Sequence, residues 1–209
     1  MSDNESDKAE AGLPEGEPSQ ERRRYFRIKG DMVLLHKEVA PEEISVPTEA
    51  RELPPNPFTV SSTLDLLTQE SRTLLRRIER DSPEVADFLK VLERKIDVLS
   101  RAFLAYETDL AKQPVQWVSL SASGLAFDTD HSYRSGSLLE LKMVLLPDLI
   151  GLLAYGKVVY CYPNRADVSQ PYHVAVDFVD LAERDRELII RHVMKQQLQQ
   201  LREKKHQPE

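Results

Sequence analysis

The most constraining feature of the chain is a run of apolar residues spaced alternately four and three apart between Pro83 and Ala111. This spacing places one continuous apolar stripe along a long helix. The stripe comprises Val85, Leu89, Leu92, Ile96, Leu99, Phe103, Tyr106 and Leu110. It predicts a coiled-coil seam, and the alternative is an amphipathic helix that packs on its own domain. Because the chain has few other elements of comparable length, we expect self-association as a dimer or a tetramer.

A second helix is predicted just before this one. Ser62, with Asp65 three residues later, indicates its start as a capping box, and a break follows at Asp81, where Ser82 and Pro83 begin the long helix. Residues 58–112 therefore read as a helical insertion that forms an oligomer. Residues 39–57 contain five prolines and predict an extended linker.

After Pro114 the apolar spacing changes to two or to short apolar runs, which predicts strands. The predicted strands are Val115 to Leu120, Leu125 to Asp128, Leu138 to Leu145, Leu153 to Tyr162 and Tyr172 to Val179. A further strand at Asp31 to Glu38 brings the total to about six, enough for a small antiparallel barrel or sandwich. Asp180 is predicted to cap a final helix that runs to about Glu203.

Composition excludes several classes of protein. Residues 1–20 are acidic and polar, which predicts a disordered tail, and the rest of the chain is close to neutral, which argues against DNA binding. The longest apolar run is too short for a membrane span, so we expect a cytoplasmic protein. A single cysteine, Cys161, and five scattered histidines give no metal site, and Asp128, Asp130 and His131 fit a polar turn.

An arginine cluster precedes the first strand. Residues 21–30 read ERRRYFRIKG and place Arg22, Arg23, Arg24 and Arg27 around two aromatic side chains. Guanidinium groups match phosphate oxygens and the O6/N7 edge of guanine, and they stack on flat rings. The cluster indicates a guanine-nucleotide site, and the alternative is that basic residues flank the strand and keep it soluble.

A second motif, Ser119-x-Ser121-x-x-Gly124, follows some ninety positions later. Together with the arginines spaced Arg23-x-x-x-Arg27, and with the closing strand and helix after Tyr172, it resembles the PilZ domain. The resemblance covers residues 21–38 and 113–200. It implies an α+β fold, a six-stranded antiparallel barrel with a two-helix insertion between strands 1 and 2 and a C-terminal helix. The inserted heptads are similar to those of the atypical, tetrameric branch of the family.

The resemblance also implies a function, that of a non-enzymatic receptor for cyclic di-GMP. It assigns nucleotide contacts to Arg22, Arg23 and Arg27, and to the group formed by Ser119, Ser121 and Gly124. The family has Asp or Asn where this chain has Ser119, and a hydroxyl lacks the charge and paired geometry of those groups. We therefore expect weakened binding. The alternative function is an oligomeric scaffold with a vestigial site, and either function implies an unidentified protein partner.

Overall fold

The computed structural model describes residues 26–44, 56–109, 112–164 and 169–205. Its strands are β1 (Ile28–Val39), β2 (Val115–Ser121), β3 (Gly124–Thr129), β4 (Leu138–Leu145), β5 (Ile150–Pro163) and β6 (Tyr172–Asp180). Its helices are α1 (Pro57–Asp81), α2 (Pro83–Glu107) and α3 (Glu183–Lys205), and a 3-10 turn, Pro41–Ile44, follows β1. The predicted acidic tail, residues 1–20, and much of the predicted linker lie outside the described residues.

The six strands form one closed antiparallel barrel in the order β1-β2-β3-β6-β5-β4. The long strand β1 makes the closure, because its first half pairs with β2 and its second half pairs with β4. The two inserted helices lie between β1 and β2, and α3 follows β6. The predicted α+β barrel, with its insertion and its C-terminal helix, is confirmed.

Alternate residues of the strands fill the barrel. In β2, Val118 and Leu120 are buried in the core, whereas Ser119 between them is half-buried on the outer face. The largest fully buried side chains inside the barrel are Phe127, Leu120, Leu125, Leu139, Leu141, Met143, Leu145 and Leu152. The first turns of α3 join the same core through Leu188, Ile189 and Val193. This helix therefore packs on the barrel, as its apolar start predicts.

The inserted helices dock on the outside of the barrel. Phe58 of α1 and Leu104 of α2 form a second apolar cluster with one residue each from β1, β4 and β5: Val33, Val144 and Leu153. A side chain at Gly151 would obstruct this contact, since its Cβ would lie 2.9 Å from Leu104 Cδ1 and 3.0 Å from Phe58 Cα. The first turn of α1 and the last turn of α2 therefore fix the insertion to the barrel.

Helix α1 begins five residues earlier than predicted. The Asn56 side chain accepts hydrogen bonds from the amides of Phe58 and Thr59, both over 3.0 Å, and Pro57 takes the first helical position. Ser62 is buried inside the helix, where its hydroxyl donates to the Thr59 carbonyl oxygen at 3.2 Å. The prediction of Ser62 as the helix cap was wrong, because Asn56-Pro57 is the stronger start signal.

Other boundaries differ from the prediction too, and β1 begins at Ile28, three residues before the predicted Asp31. Helix α2 ends at Glu107 rather than Ala111, and residues 110–111, with Leu110 of the predicted stripe, lie outside the described residues. Strand β5 begins at Ile150, three residues before the predicted start. Asp180 is the last residue of β6, paired with Tyr155, so α3 begins three residues after the predicted cap.

The predicted apolar stripe of α2 points away from α1. Ala86 and Leu104, eighteen residues or about five helical turns apart, are fully buried on one face of α2. Glu93 lies on that side too, hydrogen-bonded to Ser71 of α1. The other face is exposed and carries Val85, Phe88, Val91, Leu92, Ile96, Val98, Leu99, Phe103 and Tyr106. The hairpin of α1 and α2 therefore leaves most of the stripe without an intramolecular partner among the described residues.

Candidate functional site

The turn between β2 and β3 carries the second sequence motif. Ser121 is fully buried, and its hydroxyl donates a hydrogen bond to the Gly124 carbonyl oxygen at 3.0 Å. The Ser123 hydroxyl lies 3.2 Å from the same Ser121 oxygen. In this structure the Ser121 hydroxyl therefore fixes the shape of the turn.

Gly124 is required by the close approach of β6. A Cβ at this position would lie 2.2 Å from the Val176 carbonyl oxygen and 3.0 Å from the Asp177 Cα. Such a contact is far inside van der Waals distance, and both neighbours are backbone atoms. The glycine of the motif thus permits β3 and β6 to pair beside the turn.

The register of β1 and β2 brings Arg27, the described arginine of the first motif, to the second motif. Ile28 lies opposite Leu120, so Arg27, which directly precedes Ile28, lies beside the end of β2 at Ser121. The Arg27 side chain is exposed. Arg22 and Arg23 lie outside the described residues. Of the three predicted arginines, the structure places Arg27 next to the turn, ninety-four positions away from Ser121 along the chain.

Ser119 lies on the outer face of the barrel. It pairs with Lys29 of β1 on one side and with Ala126 of β3 on the other. Its side chain alternates with the inward-facing Val118 and Leu120, so it faces the same side as Arg27 and Lys29 by the two-residue period of a strand. Arg27, Lys29 and Ser119 therefore form one outward-facing group of two cations and a hydroxyl.

Helix α3 holds the turn from the other side. Arg186 donates from Nη1 to the Ala122 carbonyl oxygen at 2.7 Å, and its Nε lies 3.2 Å from a carboxylate oxygen of Glu183. The Phe178 amide, at the end of β6, donates to the Ser123 carbonyl oxygen at 2.9 Å. The sequence analysis missed Arg186, because it lies sixty-four residues from Ala122 and no local pattern marks it.

Aromatic and polar side chains continue the outer face of the barrel. Trp117 of β2 is 60% exposed. His173 Nδ1 lies 2.6 Å from Asp128 Oδ1, which joins β6 to β3. The rings of Tyr160 and Tyr162 stack with centroids 4.8 Å apart and an interplanar angle of 17°. Asp128, predicted as part of a polar turn, is therefore a strand residue on this outer face.

A polar pair lies at the far end of β1. His36 Nδ1 lies 2.6 Å from the Tyr133 hydroxyl, and the His36 ring packs on Phe127 at 4.8 Å. Burial lowers the pKa of His36, and burial, with lesser contributions from Glu38 and Asp130, raises the pKa of Tyr133 to about 12. Nine residues of strand separate His36 from Arg27, about 30 Å, so this pair lies apart from the turn.

Two further findings concern only the part of the chain that the structure describes. Its His, Cys, Asp and Glu side chains form no group that could hold a metal ion. None of its helices combines the length and the apolar character needed to cross a membrane.

The sequence matches the family model of the PilZ domain over residues 93–195. This range contains β2 to β6 and the first half of α3, and with them Ser119, Ser121 and Gly124. It omits β1 and the arginine cluster, which lie on the other side of the inserted helices. The insertion thus separates the first strand from the rest of the domain in sequence, whereas in the fold β1 pairs with β2 and β4.

Two solved structures resemble this one to different degrees, and the first of them shares the fold. A tetrameric PilZ-domain protein from Xanthomonas campestris, described as self-assembled through an unusual helical bundle, has a TM-score of 0.55 at 14% sequence identity, covering 86% of this chain and 91% of that chain. The inhibitor of motility from Bacillus subtilis has a TM-score of 0.36 at 18% identity and covers 42% and 44%. No curated protein matches the sequence significantly.

The family match and the structural likeness agree with the arrangement of the strands and of the inserted helices. The family match and the structural likeness both include strands of the barrel, and the likeness to the Xanthomonas protein also includes the helices. The chain carries a PilZ domain, which the family model matches over residues 93–195.

Proposed function

We propose that this protein is a non-enzymatic receptor for cyclic di-GMP, the ligand of the PilZ family. The observation that carries the proposal is the register of β1 and β2, which sets Arg27 beside the turn between Ser121 and Gly124. Arg27 and Ser121, which come from two motifs that are unspecific by themselves and lie ninety-four positions apart, are thus neighbours on the barrel.

The chemistry of the group suits a cyclic dinucleotide. Arg27 and Lys29 supply positive charge for phosphate oxygens, and a guanidinium can also stack on a base or bind the O6/N7 edge of guanine. We assign Arg22 and Arg23 the same roles by the family motif. Ser119 offers one hydroxyl where the family has a carboxylate or amide, which we expect to cost on the order of 1–3 kcal/mol.

We infer that the nucleotide ties the segment that carries Arg22 and Arg23 to the β2–β3 turn. This changes the surface that the barrel presents beside α3, whose Arg186 already contacts the turn. A protein partner that binds this surface would then distinguish the bound form from the free form. We therefore assign nucleotide binding to the barrel with its C-terminal helix, residues 21–38 and 113–203. Residues 39–57 act as a linker, and residues 58–112 form the oligomer.

The test is a calorimetric titration of the full chain with cyclic di-GMP, beside an Arg23→Ala, Arg27→Ala double variant. The proposal expects saturable binding in the micromolar range or tighter, lost in the double variant. An Arg80→Ala variant, which removes one exposed arginine at the distant end of α1, serves as the control and should bind like the wild type. Absence of binding to the wild type would reject the receptor function.

A second function, assembly through α1 and α2, is favoured by the exposed apolar face of α2. Val98 and Leu99 are 65% and 69% exposed, and Phe88 is 63% exposed. An apolar band of this size on one helix is typical of an interface. We propose that it binds a second copy of the chain, as a helical bundle does in the Xanthomonas protein, to give a dimer or tetramer.

Light scattering after size-exclusion chromatography tests the assembly. A Leu99→Glu variant should shift the wild-type oligomer to a smaller species, because it buries a charge in the proposed interface. Arg80→Ala also makes the hairpin more negative by one charge, but away from this face, and it should leave the mass unchanged. A monomeric wild type at tens of micromolar would contradict the proposal.

A further inference from the structure

Two carboxylates flank Ser119 on the outer face of the barrel. Lys29 and Ala126 lie opposite Ser119, on β1 and β3. Two residues further along each of these strands are Asp31 and Asp128, so both are diagonal neighbours of Ser119, at a typical Cα distance of about 7–8 Å. Either carboxylate is close enough to share one small ligand with Ser119.

Asp128 is held in place, whereas Asp31 is not. His173 Nδ1 lies 2.6 Å from Asp128 Oδ1, and the two side chains are 43% and 37% exposed. The second carboxylate oxygen, Oδ2, makes no hydrogen bond with the described residues and remains an acceptor. Asp31 is exposed and makes no hydrogen bond or ion pair with the described residues. One of the two carboxylates is thus pre-oriented.

The β1 side of Ser119 is also the less open side. Helix α3 passes over it, where Gln200 Nε2 donates to the Lys29 carbonyl oxygen at 3.1 Å. A cleft of about 310 Å³ remains there, lined by Asp31, Trp117 and Glu203 among others. Glu203 would repel a phosphodiester that approached Asp31. Among the described residues, no hydrogen bond joins a helix to β3, which carries Asp128.

Flat side chains lie on the outer face beyond His173, the partner of Asp128. Strand β5 bulges between Val158 and Tyr160, and beyond the bulge Tyr160 lies opposite Ala175 and Tyr162 opposite His173. The Tyr160 ring stacks on Tyr162, and its centroid is 6.1 Å from that of His173. Aromatic faces beside a fixed carboxylate are the combination that binds a base by stacking and by its edge.

We propose that Asp128 supplies the carboxylate that reads the guanine edge, in place of the Asp or Asn that Ser119 replaces. The N1–H and the N2 amino group of guanine are two adjacent donors, and a carboxylate offers acceptors to both, whereas the Ser119 hydroxyl cannot. His173 acts as a positioning residue for Asp128. This inference rests on the proposed function and names the residue that gives the site its preference for guanine.

The test compares Asp128→Ala with Asp31→Ala, its matched control on the other side of Ser119, by titration with cyclic di-GMP and cyclic di-AMP. Asp128→Ala should weaken cyclic di-GMP binding about tenfold or more while changing cyclic di-AMP binding much less, since adenine has no N1–H donor. Asp31→Ala should change neither appreciably. Adding Ser119→Asp to Asp128→Ala should restore much of the lost affinity.

The possible results separate this inference from the proposed function. A wild type that binds no cyclic di-GMP rejects both. A wild type that binds, with Asp128→Ala equal to it or with Asp31→Ala as the damaging change, rejects the role of Asp128 alone. His173→Ala serves as a control for misfolding, because it removes the hydrogen bond between His173 and Asp128 but keeps the Asp128 carboxylate. It should therefore bind cyclic di-GMP more tightly than Asp128→Ala does. Equal losses in these two variants would overturn the assignment.

Discussion

The amide of Gly151 in β5 donates a hydrogen bond to the Ser61 hydroxyl of α1 at 3.0 Å, across ninety positions of the chain. Ser61 is only 6% exposed, so the bond is shielded from water. Phe58 and Leu104 pack around it against the barrel. This contact joins the inserted helices to the domain and makes their orientation relative to the barrel a property of the monomer.

Replacing Ser61 by alanine should lower the free energy of unfolding by about 1–3 kcal/mol. The change leaves the buried Gly151 amide without its acceptor, which costs the desolvation of that group. Thr63→Ala, in the same helix but without a hydrogen bond of its side chain in the structure, should cost about 0.5 kcal/mol or less. Urea unfolding of both variants measures the difference, and equal losses would show that the bond contributes nothing.

Truncating two leucines of α2 should affect different properties, the stability of the monomer in one case and the oligomer in the other. Leu104 is fully buried against the barrel, and Leu104→Ala should lower the free energy of unfolding by about 2–5 kcal/mol. Leu99 is 69% exposed, and Leu99→Ala should leave the monomer's stability nearly unchanged but weaken the oligomer. Denaturation, measured together with the protein mass in solution, distinguishes the two effects. A large loss of monomer stability for Leu99→Ala would contradict the placement of Leu99 on an unpartnered face of the monomer.

Gly124 and Gly30 form a matched pair of glycines beside the proposed site. Gly124→Ala would place a Cβ 2.2 Å from the Val176 carbonyl oxygen, whereas a Cβ at Gly30 meets nothing within 4 Å. We expect Gly124→Ala to lower the free energy of unfolding by about 1–3 kcal/mol or more, the range typical of overpacking. Gly30→Ala should be tolerated. Thermal unfolding gives the comparison, and a harmless Gly124→Ala would refute the close approach of β3 and β6.

Acid should destabilise the protein partly through His192. Burial lowers the pKa of this side chain below its ordinary value of 6.5. The unfolded chain therefore takes up a proton that the folded chain resists, and stability falls as the pH drops below about 6.5. His192→Leu should lose less free energy of unfolding between pH 7.5 and pH 5.5 than the wild type does. An identical pH dependence in the two proteins would contradict this account of His192.

The six strands could be predicted because each carries its own local signal, whereas their closure into a barrel was implied by the resemblance to the PilZ domain. The two-residue spacing in β2 and the turn residues after it mark both the inward face and the end of the strand. The start of α1 was missed although Asn56-Pro57 is a recognisable start signal, because it lies within a proline-rich stretch that also reads as linker. Local patterns thus predicted most helices and strands to within a few residues. The predicted boundaries were in error where two patterns, such as a helix start and a proline-rich linker, overlap.

The partners of the site residues could not be predicted in the same way. The pair of Asp128 and His173 depends on the register of β3 and β6, and the contact of Arg186 with Ala122 depends on where α3 crosses the barrel. Neither is encoded by a spacing along the chain. The burial of Ser121 is another case, because the motif gives the residue type but not the direction in which the hydroxyl points.

The most direct test of the central claim is a fluorescence titration of Trp117 with cyclic di-GMP. Trp117 is the only tryptophan of the chain, is 60% exposed and lies two residues from Ser119 on the same outer face of β2. The account predicts a saturable change in its emission, absent for Arg27→Ala at the same nucleotide concentrations. Unchanged emission at saturating nucleotide, or an equal response from Arg27→Ala, would contradict the claim that cyclic di-GMP binds beside Arg27 and Ser119.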